Sequence, residues 1–213
     1  MERIIILFGK PGAGKGTRLS KFLEGKEEQY EVLSVSSLLR KERKEQTELG
    51  KKAEYYMDSG LLVPDQLINE IVIKAIKKAE KTVVIDGFPR TVGQARAMLA
   101  SGINRTKVEV IELYVDDDIV IQRAKDRIVC EKCGESYTTN EFKKPKKEGV
   151  CDKCGGILVR RKDDDEDVVK KRLKVYENET YPVLKVLENS AIRISTLDNH
   201  SKEAGLKFEI LMS

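Results

Sequence analysis

The chain has 213 residues, 40% of them hydrophobic, enough for one domain with a full core and too apolar for a disordered chain. Its 40 Lys+Arg and 36 Asp+Glu nearly cancel to a formal charge of +4, a balance that argues against a protein that coats nucleic acid. There is one His, at His200, so Ser-His, Cys-His and His-metal catalytic centres are set aside.

In chain order, residues 3–8 are a short apolar run ending at a Gly-rich turn, the pattern of a strand buried on both faces of a parallel sheet. No apolar run approaches the ~18 residues of a membrane span. No basic stretch leads a long apolar region at the amino terminus, so a cytoplasmic protein without membrane association is expected. Similar runs at 30–35, 82–85, 108–115 and 191–194 predict further strands. Residues 38–60 read as helical and heavily charged. Residues 64–79 predict a helix that opens at Pro64-Asp65 and carries Leu67, Ile68, Ile71, Ala75, Ile76 and Ala79 on one face. Residues 126–163 hold all four Cys, several Gly and the basic run 143–147. Strands alternating with helices predict an α/β fold on a parallel sheet, with 38–60 and 126–163 as insertions rather than separate domains.

Gly9-Lys10-Pro11-Gly12-Ala13-Gly14-Lys15-Gly16-Thr17 joins the first strand to a helical stretch. Glycines let successive N–H groups turn inward toward an anion, and the helix terminus adds partial positive charge. Lys15 then offers a mobile cation to the β/γ-phosphates of a nucleotide. Gly16 stands where most such loops carry the Ser or Thr that holds Mg²⁺, so the metal would rest largely on phosphates and water. Downstream, Asp86-Gly87-Phe88-Pro89-Arg90 follows the 82–85 strand. An Asp at the carboxyl end of a parallel strand beside a phosphate loop can orient Mg²⁺-bound water, and Arg90 can grip a phosphate bidentately.

The cysteines form two copies of Cys-x-x-Cys-Gly, Cys130/Cys133 and Cys151/Cys154. Two such turns set four thiolates around one metal and leave no open position, which predicts a structural Zn²⁺ site. Iron fits the same ligand set. Disulfides or a redox dithiol are the other readings, disfavoured in a cytosolic chain.

Together these motifs resemble the adenylate kinase family: the Gly9–Thr17 loop, then Asp86-Gly87-Phe88-Pro89-Arg90-Thr91 with Gln94 four residues after Arg90, in that order along nearly the whole chain. The resemblance implies phosphoryl transfer from ATP to AMP, giving two ADP, by a monomer with Mg²⁺. It implies a P-loop, three-layer core (1–33, 64–125 and 165–213), a monophosphate-binding insertion at 34–63 and a small zinc lid at 126–164. Residue by residue, it assigns the ATP phosphates to Gly12, Ala13, Gly14, Lys15, Gly16 and Thr17. Arg123 stacks on the ATP base and Arg127 meets ATP phosphate; Ser136, Tyr137 and the backbone near Ser201 also touch ATP. Arg40 and Arg90 hold the AMP phosphate beside Gly87, Phe88 and Pro89. Gln94 reads the adenine edge, and Leu61, Leu62 and Val63 line the base pocket. Arg161 and Arg172, flanking the acidic run 163–167, clamp the transferring group, with Lys15, Asp86, Arg90 and Arg127 as the other catalytic residues.

One departure from the family pattern is informative. Val35-Ser36-Ser37 stands where the family usually has Thr-Gly-Asp or Thr-Gly-Glu, so Val35 removes a hydroxyl from the monophosphate pocket and Ser37 a carboxylate. That motivates a rival reading as a UMP or CMP kinase, against which Gln94 argues for adenine. A third reading, a nucleic-acid-binding module, rests on the basic run 143–147; Tyr137 and Phe142 are too few aromatics for base stacking, and no nucleic-acid partner is expected. The near absence of His suits the kinase reading. A nucleotide phosphate has its second pKa near about 6, so the acceptor is already dianionic and needs no general base, only positioning and charge stabilisation.

Overall fold

The computed structural model describes residues 3–140, 143–161, 164–201 and 203–213. The expectations that involve Phe142 and Asp163 lie outside the described residues. In chain order the elements are β1 (Ile4–Phe8), α1 (Lys15–Leu23), β2 (Tyr30–Ser34), α2 (Val35–Lys44), α3 (Glu48–Asp58) and α4 (Asp65–Lys78). There follow β3 (Thr82–Asp86), α5 (Val92–Ala100), β4 (Val108–Tyr114), α6 (Asp117–Asp126), β5 (Arg127–Cys130), β6 (Ser136–Thr138) and β7 (Leu158–Val159). The chain closes with α7 (Glu166–Val175), a single π-helical turn (Tyr176–Thr180), α8 (Pro182–Asn189), β8 (Arg193–Asp198) and α9 (Ala204–Met212).

Five strands make one all-parallel sheet in the order β2-β3-β1-β4-β8. The alternation of β1 divides the interior in two. Ile4, Ile6 and Phe8 join a cluster with residues of α2, α3, α4, α5 and α8, while Ile5 and Leu7 join residues of α1, α6, α7 and α9. Helices therefore cover both faces, giving the expected α/β, three-layer, P-loop architecture. The chain leaves β1 toward β3 and β2 on one side and returns to β4 and β8 on the other. The carboxyl end of β1 is thus a topological switch point, where such sheets open a ligand crevice.

Three expectations need correcting in detail. The strand expected at 191–194 lies at Arg193–Asp198. Ala191 sits at φ 59°, and the N–H groups of Ala191 and Ile192 close the end of α8 on Glu188 O and Leu187 O, so extended backbone begins only beyond them. The strand itself is polar because it is an edge strand. Helix α4 buries the row Ile68, Val72 and Ile76, with Ile71 and Ala75 only half-buried, so its inner face is rotated from the expected one. Residues 38–60 are two helices, broken at Gln46 (φ 54°) and restarted by Thr47, whose hydroxyl accepts from the Gly50 N–H at 3.1 Å. Gly50 lets them cross closely, since a Cβ there would lie 2.2 Å from Glu42 O.

A second, antiparallel sheet, β6-β5-β7, carries the cysteines and packs around its own small cluster of Cys130, Tyr137 and Cys151. Among the described residues, no helix is long and apolar enough to cross a membrane.

Candidate active site

The loop after β1 wraps the amino terminus of α1. Gly9 (φ 133°) passes so close to β4 that a Cβ would lie 2.4 Å from Leu113 O, and Gly14 enters α1 in the left-handed region, at φ 92°. Lys15 Nζ folds back over the loop, donating to Gly9 O at 2.7 Å and Lys10 O at 3.0 Å. Burial lowers its pKa to about 8, opposed by Asp86 and assisted by the charges of Arg90, Arg172 and Arg127. The amine thus lies among one carboxylate and three guanidinium groups, a field suited to several phosphate charges. Beside it, a Cβ on Gly16 would meet nothing within 4 Å, so the mouth of the loop is open there, next to Thr17 in the first turn of α1.

On the outer side of the loop, Arg123 Nη1 donates to Ala13 O at 3.0 Å and Nη2 to Asn199 O at 3.2 Å. Burial, then the nearby Arg18, lowers the pKa of Arg123. Asn199 is buried; its Nδ2 donates to Ala13 O at 2.6 Å and its Oδ1 accepts from Arg18 Nε at 2.7 Å. Ser201 belongs to the turn that follows, its hydroxyl donating to Asp198 O at 3.0 Å.

At the carboxyl end of β3, the Asp86–Arg90 turn, with a cis Phe88–Pro89 peptide, forms one wall of a cavity that reaches the phosphate loop. The cavity brings together Lys15, Val35, Arg40, Leu61, Leu62, Val63, Gly87, Phe88, Pro89, Arg90, Gln94 and Arg172. Arg161 is not among its lining residues. Arg90 is half-buried; desolvation lowers its pKa against the pull of Asp86, and its Nη2 donates to Ser36 Oγ at 3.1 Å. Gln94 is buried, its Oε1 accepting from the Arg90 N–H at 2.7 Å and its Nε2 donating to Asp65 Oδ1 at 2.9 Å. The cavity is therefore cationic at the loop end and apolar, with one amide, at the other.

Where β5 begins, Arg127 forms a two-point pair with Asp164: Nε donates to Oδ2 at 2.7 Å, and Nη2 donates to Oδ1. Asp164 is buried, so this pair ties the entering and leaving ends of the small sheet together. Ser136 is half-buried in β6. Tyr137 turns its ring into the cysteine cluster, where its hydroxyl lies 3.4 Å from Cys151 Sγ and accepts from the Asp152 N–H at 2.9 Å. Any ATP contact at Tyr137 therefore falls to its backbone.

The four cysteines are unpaired thiols whose sulfurs all lie within 4.8 Å of one another. Cys130–Cys154 and Cys133–Cys151 are 3.5 and 3.6 Å apart. A tetrahedron with bonds of about 2.3 Å has sulfur–sulfur edges of about 3.8 Å, so the donor set fits a Zn²⁺-sized thiophilic ion. The turns are built alike: the N–H of Gly134 bonds Cys130 O at 2.9 Å and that of Gly155 bonds Cys151 O at 2.8 Å.

Arg18, Ser36, Asp65 and Asn199 escaped the sequence reading. Only Asn199 had a signal that could have found it: a polar residue just past the carboxyl end of a strand, at the edge where these sheets bind ligands. The other three reach the site through partners 54 (Ser36), 29 (Asp65) and 181 (Arg18) residues away.

Comparison with known proteins agrees with this geometry. The adenylate kinase family profile matches residues 7–192. The chain is 45% identical over 188 residues to the adenylate kinase of Clostridioides difficile, covering 84% of each chain. It is 39% identical over 199 residues to that of Caldicellulosiruptor saccharolyticus, covering 91% of this chain and 90% of that one. With that of Methanosarcina acetivorans it is 41% identical over 213 residues, 97% and 95% of the two chains. By its matched length and its identity to these relatives, the chain belongs to the adenylate kinase family.

Proposed function

We propose that the protein transfers the terminal phosphoryl group of ATP to AMP, giving two ADP, in the cleft at the carboxyl ends of β1 and β3. The observation that carries this reading is the continuity of the cavity: Lys15 of the phosphate loop at one end, Arg90 and Arg172 between, and Leu61, Leu62, Val63 and Gln94 at the other. A mononucleotide in this cavity would point its phosphate at Lys15, where a second nucleotide on the loop would meet it.

In this reading the ATP phosphates lie on the N–H groups of residues 12–17 and at the amino terminus of α1. Lys15 exchanges its bonds to Gly9 O and Lys10 O for phosphate oxygens. Arg40 and Arg90 hold the AMP phosphate in line, and Arg172, with Arg161 brought in from its place outside the cavity, neutralises charge on the transferring group. Arg127 would exchange Asp164 for ATP phosphate. Arg123, held by Ala13 O and Asn199 O, stacks on the ATP base. Asp86 would hold the water shell of the Mg²⁺ that accompanies ATP, an ion that would add charge neutralisation. The small sheet acts as a lid over residues 126–164 that excludes water, held by Zn²⁺ on Cys130, Cys133, Cys151 and Cys154. Cysteines gathered as one ligand set rather than paired as disulfides support a cytoplasmic setting, and we read the protein as a monomer.

The test is ADP formation from ATP with AMP, CMP, UMP or GMP as acceptor, with and without the bisubstrate compound diadenosine pentaphosphate. AMP is expected to lead by about tenfold or more, with inhibition by the bisubstrate compound. A pyrimidine acceptor favoured by that margin would transfer the assignment to the rival kinase reading that Val35 motivates.

A further inference from the structure

Gln94 lies in the first turn of α5, buried, with its carboxamide held at both ends. Oε1 accepts from the Arg90 N–H at 2.7 Å and Nε2 donates to Asp65 Oδ1 at 2.9 Å. A backbone N–H only donates and a carboxylate only accepts, so these partners dictate which end of the amide is oxygen. A flipped amide would set N–H against N–H and oxygen against oxygen. Asp65 is itself fixed. Its other oxygen accepts from Thr91 Oγ1 at 2.7 Å, and Thr91 caps α5 by accepting from the Gln94 N–H at 3.0 Å. Asp65 opens α4 and is not among the residues lining the cavity, so it acts only through Gln94.

After these two bonds the amide keeps one N–H and one oxygen lone pair, an acceptor and a donor in a fixed sense. An adenine edge offers a donor at N6 and an acceptor at N1. A 6-oxopurine edge offers the reverse, an acceptor at O6 and a donor at N1. An amide free to flip can serve either; an amide fixed one way serves one and confronts the other with like groups, leaving buried valences unmet. We propose that Asp65 is a specificity-determining positioning residue, which fixes the amide sense of Gln94 so that the site selects a 6-aminopurine monophosphate over a 6-oxopurine one. This rests on the reading of the cavity as the AMP site.

The test compares kcat/KM for AMP with kcat/KM for inosine monophosphate as acceptors, using the full chain with saturating ATP and magnesium. Asp65→Ala removes one of the two restraints on the amide and leaves the Arg90 N–H to hold it alone, and the AMP-to-IMP ratio is expected to fall roughly tenfold, chiefly through KM. Asp65→Asn, whose amide oxygen can still accept from Gln94 Nε2, is expected to restore most of the ratio. Should Asp65→Ala not fold, Asp65→Ser, too short to reach Gln94, takes its place. A fall of less than about threefold, with both acceptors losing in equal proportion, overturns the proposal, because a merely structural role does that. A wild-type ratio near one, or no restoration in Asp65→Asn, overturns it as well. Gln94→Ala separates the possible failures. If it collapses the ratio while Asp65→Ala does not, only the role of Asp65 falls; if it too leaves the ratio unchanged, the adenine reading of the cavity falls with it.

Discussion

Lys15 is half-buried near Asp86, yet desolvation outweighs that carboxylate and brings its pKa from the usual 10.5 down to about 8. The folded value lies below the unfolded one, so the charged amine weighs against folding below about pH 8. That penalty fades as pH rises from about 8 toward 10.5, where the unfolded chain holds the extra proton. Polyphosphate beside the amine reverses the shift. Binding of diadenosine pentaphosphate near about pH 9 should therefore take up a sizeable fraction of a proton, read by calorimetry in buffers of different ionisation enthalpy. The uptake should vanish in Lys15→Met, which should also lose on the order of 100-fold in turnover. Equal uptake in wild type and variant would remove Lys15 from the phosphate site. Lys15 and Arg90 were legible because each sits inside a contiguous motif whose spacing has a mechanical reason. Arg18 and Asp65 were not, since each is an ordinary polar residue until the fold presents it to an amide far along the chain.

Helix α9 shows how an element can depend on a residue outside it. Its last carbonyls accept from a single guanidinium at the edge of β1: Arg3 Nη1 donates to Met212 O and Ser213 O at 3.1 and 2.9 Å, and Nη2 to Leu211 O at 3.1 Å. Arg3 Nε also donates to Glu109 Oε1 at 2.7 Å. A cation at a helix carboxyl terminus satisfies orphan acceptors and meets the negative end of the dipole. The side chain is a third exposed, which discounts the gain. Arg3→Ala should lower unfolding free energy by about 1–2 kcal/mol, with KM for both nucleotides unchanged; urea titration and steady-state kinetics check the two halves. The same scale explains which elements the sequence disclosed. Strands β1, β3 and β4 are interior to the sheet, and burial wrote them into composition as short apolar runs; β2, an edge strand and only half-buried, still packs Tyr30 and Leu33 against the core. The edge strand β8, with Arg193, Ser195, Thr196 and Asp198, has only one neighbour and little to bury, so its boundaries were misjudged. The face of α4 was misjudged because six apolar positions span more arc than the neighbours cover.

The molecule as a whole has two interiors of very unequal size. The five-stranded sheet is packed on both faces, whereas among its described residues the small sheet buries Cys130, Tyr137 and Cys151, supported by Ile128, Cys154 and Leu158. An apolar cluster of that size does not hold a fold together; pieces below about 40 residues need a disulfide or a metal. Two of its three buried members are themselves metal-ligand candidates, so the cross-link and the core are one object. Beyond the chain crossings, a link back to the main body is polar, Arg160 Nη2 donating to Lys125 O at 2.7 Å, and polar links between packed units permit relative motion. Losing the metal should therefore unfold the small sheet alone. Cys151→Ser is expected to lower bound zinc and to reduce the melting temperature by about 5 °C or more. It should also open residues 130–159 to protease while the parallel sheet persists. ATP affinity at the phosphate loop should stay within about threefold, since that loop belongs to the larger interior. Transfer to AMP should drop, and the fraction of ATP lost to water should rise, because the cover that excludes solvent is gone. Unchanged zinc content and melting temperature in Cys151→Ser would mean that the cysteines serve something other than the architecture, and the separation into two interiors would lose its physical basis.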